Sequence, residues 1–337
     1  MRDGQELARR TGVMSFAQMR DWLARHGVAT PERAPESSAG EVDDRLGGAF
    51  YGDAELKAFL FERLLRHAAA GQIVESRFPY WFEGQGTVSA ALVHSANIEV
   101  FQRLAGLPPS LGCALHFAGL SLEADIREVV GAIQPGTRLE HVAPTLLQDW
   151  LADEQTPWQA LLQKPALDDL RQRWLQLARD GASTQQWHSL RQEALDAISK
   201  GDPYCATQDA FLQLLANASP IPDPDNGSAW VTALLLHGTL LVVRSLQVEQ
   251  GWSTEDMAVE SLRYAWFKQR EEKEPDGRFS DERLAELRSQ WERDNTSWLR
   301  LNQDFMERYP ILRRPHNSRL RASLTAQLQS APKASAA

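Results

Sequence analysis

The side chains best suited to proton transfer or metal ligation in this chain are its eight histidines, so their spacing comes first. Two helical ligands share a face only when they stand three or four residues apart. Glu62 and His67 are five apart, as are His94 and Glu99, which turns each pair roughly 140° around a helix. Glu140 and His141 are adjacent and diverge by roughly 100°. Neither His-Glu-x-x-His nor Glu-x-x-His occurs, and Cys113 and Cys205 form no paired-cysteine signature. The expectation is therefore no metal and no cofactor. A metal site would need donors from separate helices, which spacing does not reveal.

Three places remain where residue types suggest chemistry. The first is the stretch from Phe78 to Thr87, in which Tyr80, Trp81, Phe82 and Glu83 precede Gly84-Gln85-Gly86. Gly84 and Gly86 match the first two glycines of a dinucleotide-binding turn, but Ser89 stands at the third. Pro79 and the helical surroundings also deny it the preceding buried strand. The residues read instead as an aromatic loop that either packs into the core or walls a ligand or peptide site. Thr87 is expected to cap the following helix, and His94 and Glu83 are catalytic candidates by type alone.

The second is His237, set among Leu234, Leu235, Leu236, Leu240 and Leu241, with Arg244 two turns further on. An imidazole in such surroundings is either a core residue bonded to a polar partner or an acid–base group in a closed pocket. The third is the arginine group Arg308, Arg313, Arg314, Arg319 and Arg321, dense basic charge in an otherwise acidic chain. It suits phosphate or an acidic partner, or simply a solvated helix end.

Common nucleotide and hydrolase motifs are missing. No glycine-rich loop ends in Gly-Lys-Ser/Thr, and no Gly-x-Ser-x-Gly elbow occurs. Asp43-Asp44 and Asp168-Asp169 lack the third acid that a metal–diphosphate motif would add, and read as surface charge.

Elements that must hold these residues are helical nearly throughout, and the expected fold is all-α, an irregular multi-helix domain with a central apolar helix. Periodicity predicts helices near 15–26, 53–70, 87–105, 110–118, 121–132, 139–153, 167–180, 184–199, 206–217, 228–249, 254–272 and 280–309. The helix at 228–249 is apolar on all sides through Val243, as a core helix is. QIVESRF at 72–78 is the best strand candidate. In the last helix Leu284, Leu287, Trp291, Trp298, Leu301 and Phe305 form a heptad-like stripe, interrupted at Asp294. Tryptophan at two of those positions favours packing within the chain over a partner seam, which keeps Trp291 and Trp298 as partner-binding candidates of second rank.

The organisation expected is a helical arm at 1–27, a flexible linker at 28–41 and a helical subdomain at 42–218. A Pro/Asp loop follows at 219–227, then a second helical subdomain at 228–320 and a disordered tail at 321–337.

A charge of −9 and pI near 5.5 do not suit a duplex nucleic-acid binder that relies on a basic field. MRDGQELARR lacks a secretory apolar core, and the apolar run at 229–243 is shorter than a span of about 20 residues, so neither export nor membrane insertion is expected. With two cysteines, the cytoplasm is the compartment that fits.

Two functions stand from this reading. One is a non-catalytic helical interaction component (adaptor, immunity-like or assembly factor) whose partner is another protein. The other is an enzyme or small-ligand binder with an aromatic-lined pocket inside the bundle, using dispersed residues such as Trp81, Glu83, His94, His237 and Arg244. Tyr80, Trp81, Phe82, Arg244, Trp291, Trp298, Arg313 and Arg314 are the binding residues expected across the two.

Overall fold

Asp53 opens the first long helix, α1 (Ala54–Ala69), by accepting from the backbone N–H groups of Glu55 and Leu56. Leu60 and Leu64 of α1, one turn apart, are buried. The computed structural model describes residues 47–334 except 77, 200 and 275–276, so the expected arm and linker lie outside the described residues.

After α1 the chain makes a two-residue hairpin, β1 (Trp81–Phe82) and β2 (Gln85–Gly86), antiparallel with Trp81 opposite Gly86. Three short helices follow: α2 (Val88–Val93), α3 (Ile98–Ala105) and α4 (Pro109–Phe117). Next come α5 (Glu123–Val129), α6 (Val142–Ala152), α7 (Trp158–Leu162), α8 (Pro165–Asp180), α9 (Thr184–Ala197) and α10 (Ala206–Asn217). The apolar rod α11 spans Gly227–Glu249. The last three helices are α12 (Thr254–Glu271), α13 (Asp281–Asp294) and α14 (Thr296–Ser330). The fold is all-α, with a two-stranded sheet as its β structure among the described residues.

The core is assembled around α11, which packs on α4, α7 and α10. Trp230, Leu234, Leu235 and Leu241 of α11 are fully buried. Its middle, Val231–Gly238, has π-helical pitch. At 23 residues α11 is long and apolar enough to cross a bilayer, which the shorter apolar run did not suggest, but 61% of its apolar stretch is buried within this fold. A core helix and a span meet the same length test, and burial accounts for the composition here.

Several expected boundaries shift. The helix expected over 87–105 breaks at His94, whose left-handed φ of 54° ends α2. Thr87 holds the N-cap position but makes no side-chain cap; its Oγ1 accepts from the Tyr80 N–H at 3.3 Å and ties the hairpin to the helix start. Segment 219–227 is a loop that joins rather than divides. Ser110 N donates to Pro224 O and Trp230 Nε1 to Asp223 O, both at 3.0 Å, and Arg45–Ala337 is a single unit.

The largest departure is at the C-terminus. Pro310 suggests a stop near 309 and a disordered tail from 321, yet α14 continues through Pro310 and Pro315 to Ser330. Each proline frees a carbonyl one turn back, at Met306 and Ile311, and both residues are exposed, where water can serve them. Against that cost, Leu320, Leu324 and Leu328 at four-residue steps are buried beside α5 and α6. Beyond the helix, Pro332 O accepts from Arg138 N at 2.8 Å and Ala334 N donates to Gly136 O at 2.7 Å.

Candidate functional site

The hairpin turn consists of Glu83 and Gly84 with φ of 48° and 79°. Positive φ at both central residues is what a two-residue turn of primed type requires. Glu83 is therefore an exposed turn residue. At Gly86 a Cβ would lie 2.4 Å from Tyr80 O and 2.6 Å from the Trp81 ring, so glycine is the residue that lets the strand close on the aromatic segment. Part of 72–78 also pairs here, since Val74 N donates to Gly86 O and Gly86 N to Gln72 O.

Side chains alternate across a strand. Trp81 faces inward, onto His67 and His94, while Tyr80 and Phe82 take the opposite side and are exposed, Phe82 by 58%. Trp81 stacks on His94 with centroids 4.4 Å apart and planes 9° from parallel, and meets His67 edge-on at 5.2 Å. His67, in the last turn of α1, sets Nε2 2.8 Å from Nε2 of His94. Its Nδ1 lies 2.7 Å from Gln72 Oε1. A carbonyl oxygen only accepts, so His67 Nδ1 carries the proton, and the Nε2 lone pair of neutral His67 points at His94.

Arg63, one turn before His67, donates through Nη2 to Leu92 O at the C-terminal end of α2, where a cation complements the helix dipole. Burial, with the positive charge of Arg63 and the neighbouring His67 ring adding to it, lowers the His94 pKa and favours its neutral form. Phe59, one turn before Arg63 and 58% exposed, is covered on one side by that guanidinium, 5.4 Å from the ring centroid. Exposed Phe78 and half-buried Pro79, at the base of the hairpin, form one wall of a groove of about 540 Å³. Its other walls are residues 96–99, residues 225–228, Val231 and Thr232.

The structure thus brings together two expected site residues, Trp81 and His94, and adds His67, Gln72 and Arg63. Other candidates sit elsewhere. His237 is buried in the π-helical part of α11. Arg244 is buried, donating to Gln247 Oε1 at 2.8 Å and facing Glu260 at 3.6 Å. Trp291 is buried edge-on against Trp266 at 5.5 Å, and half-buried Trp298 donates from Nε1 to Asp256 O at 2.9 Å. These two tryptophans anchor α13 and α14 to α12, so they are packing residues rather than an open partner seam.

The arginine group divides. Arg313 is buried and fully engaged, with Glu75 at 2.8 Å, Asn317 Oδ1 at 3.0 Å and Phe117 O at 3.4 Å. Arg321 pairs with Asp125 at 3.2 Å and Arg319 with Asp153 at 3.0 Å. Arg314 is exposed and lines a cleft of about 840 Å³ between α14 and the start of α5. Most of this group fastens α14 to the body.

A second polar site escaped the sequence reading. Asp149, Trp150 and Asp153 on and beside α6, with His316, Arg319 and Ser323 on α14, line a cavity of about 270 Å³. Asp149 Oδ2 accepts from Ser323 at 2.6 Å and from Gln327 at 3.1 Å. His316 Nε2 and Trp150 Nε1 are buried without a hydrogen-bond partner among the described residues. Burial, then Arg319 and Arg313, pushes the His316 pKa down to about 4.

Comparison with protein-family profiles, curated proteins and solved structures gave no match.

Proposed function

We propose that the protein is a non-catalytic interaction component of the cytoplasm that docks another protein on the hairpin and the adjoining face of α1. The observation that carries this reading is the disposition of the FPYWFE rings. Trp81 braces the hairpin from inside, Tyr80 and Phe82 flank a fixed two-residue turn and are held outward, and Phe59 on α1 and Phe78 at the hairpin base are exposed as well. Rings so presented lose little freedom on binding, which is why aromatics dominate interface hot spots. Arg63 and Arg66 on the same side of α1 supply positive charge suited to an acidic partner surface.

The test is affinity isolation from the native cell with wild type and a Phe59→Ser/Phe82→Ser double variant. Both rings are largely in water, so the variant keeps the fold. The account expects a stoichiometric protein partner that the variant loses. Retention of the same partner set by the variant removes the hairpin from the interface.

The cavity at α6 and α14 favours a second reading, a binder of a small polar ligand. Its two unpartnered buried groups, Trp150 Nε1 and His316 Nε2, are the specific observation behind it. Native mass spectrometry distinguishes this reading. A small molecule that stays with the wild type and is lost from Trp150→Phe would support it.

A further inference from the structure

We infer that His67 and His94 form a two-donor site for a divalent copper or nickel ion, closed on one side by Trp81. The two imidazoles come from separate helices and meet through their Nε2 atoms at 2.8 Å. Nitrogens bonded to a metal at 2.0–2.1 Å lie about 2.9 Å apart when at right angles and about 3.4 Å apart in a tetrahedron. The pair therefore has the bite of cis positions in a square-planar or octahedral ion, and imidazole is a donor both copper and nickel accept.

The surrounding groups prepare the donors. Gln72 Oε1 accepts from His67 Nδ1, the outer contact that a metal-binding histidine makes to fix its tautomer and ring orientation. His94, held by a left-handed backbone and stacked under Trp81, donates its Nε2 proton to His67 in the metal-free pair. On binding, that proton leaves Nε2 and His94 takes one at Nδ1, so the ring stays neutral and both Nε2 lone pairs go to the ion. Among the described residues no group of three His, Cys, Asp or Glu is placed to hold a metal, so water fills the remaining positions. A site this open exchanges its ion, unlike the closed four-ligand shell of a structural zinc. This inference is independent of the docking proposal.

Titration of the full chain with nickel chloride in a non-coordinating buffer at neutral pH, followed by calorimetry, tests it. Saturable binding at one equivalent is expected, lost in His94→Asn and in His67→Gln and weakened about tenfold in Gln72→Leu. Asparagine tolerates the left-handed φ at 94, so that variant should fold. A His141→Asn/His188→Asn variant controls for other exposed imidazoles and should bind as wild type does. With one equivalent of Cu²⁺, the wild-type electron paramagnetic resonance spectrum should show two imidazole nitrogens, a reading that needs no variant. Absence of saturable binding, a single coordinated imidazole, or unchanged affinity in either histidine variant overturns the assignment.

Discussion

His316 provides a stability test whose sign and size follow from its surroundings. It is 5% exposed, flanked by Arg319 and Arg313, and its pKa is pushed down to about 4 from the ordinary 6.5. Below pH 6.5 the unfolded chain takes up a proton that the folded chain refuses. Stability from this residue is therefore complete above pH 6.5 and is lost as pH falls toward 4. The slope is about 1.4 kcal/mol per pH unit, so between pH 7.5 and pH 5 His316 alone removes about 2 kcal/mol. That is a large share of a total that is typically about 5–15 kcal/mol. Other groups titrate over the same range, but they do so equally in a His316→Gln variant. Urea unfolding of both proteins at the two pH values isolates the residue. Wild type should lose about 2 kcal/mol more than the variant on acidification, given the pKa shift. Equal losses would show that His316 is solvated in the folded state, and the description of the α6–α14 cavity would fail.

Further predictions follow from individual contacts. Gly86→Ala should cost about 1–3 kcal/mol by thermal unfolding and alter the near-ultraviolet signal of Trp81, because the new methyl meets Tyr80 O and the indole. Leu324→Ala and Leu328→Ala, both fully buried, should each cost about 2–5 kcal/mol in chemical denaturation; a silent result would return residues 321–330 to a tail. Asp53→Ala removes a cap seen in the structure and should cost about 1 kcal/mol. Thr87→Val should act through the hairpin instead, slowing nothing in α2 but raising hydrogen exchange at the Tyr80 amide.

Local signals explain what was legible in the sequence. Leu60 and Leu64 a turn apart behind Asp53 identify α1, and the apolar run from Trp230 to Val243 identifies the core rod, because periodicity and composition are properties of one segment. The hairpin was hidden by its length, since two-residue strands offer too little alternation to read. Prolines at 310 and 315 signal a stop, and only the burial of Leu320, Leu324 and Leu328 by distant helices overrides them. The His67–His94 contact spans 27 positions and the Arg319–Asp153 pair spans 166, and no spacing rule reaches across separate helices. The expected site was accordingly half visible: Trp81 and His94 by type, but not the partner that gives them a geometry.

The central proposal is that the outward hairpin rings contact another protein. Its most direct measurement is site-specific photo-crosslinking in the native cell, with a benzophenone side chain at position 82, at position 59, and at exposed Leu195 on α9 as the reference. The account predicts one discrete protein adduct, the same from 82 and 59 and absent from 195. A blank at 82 and 59, or the same adducts from all three positions, would contradict it.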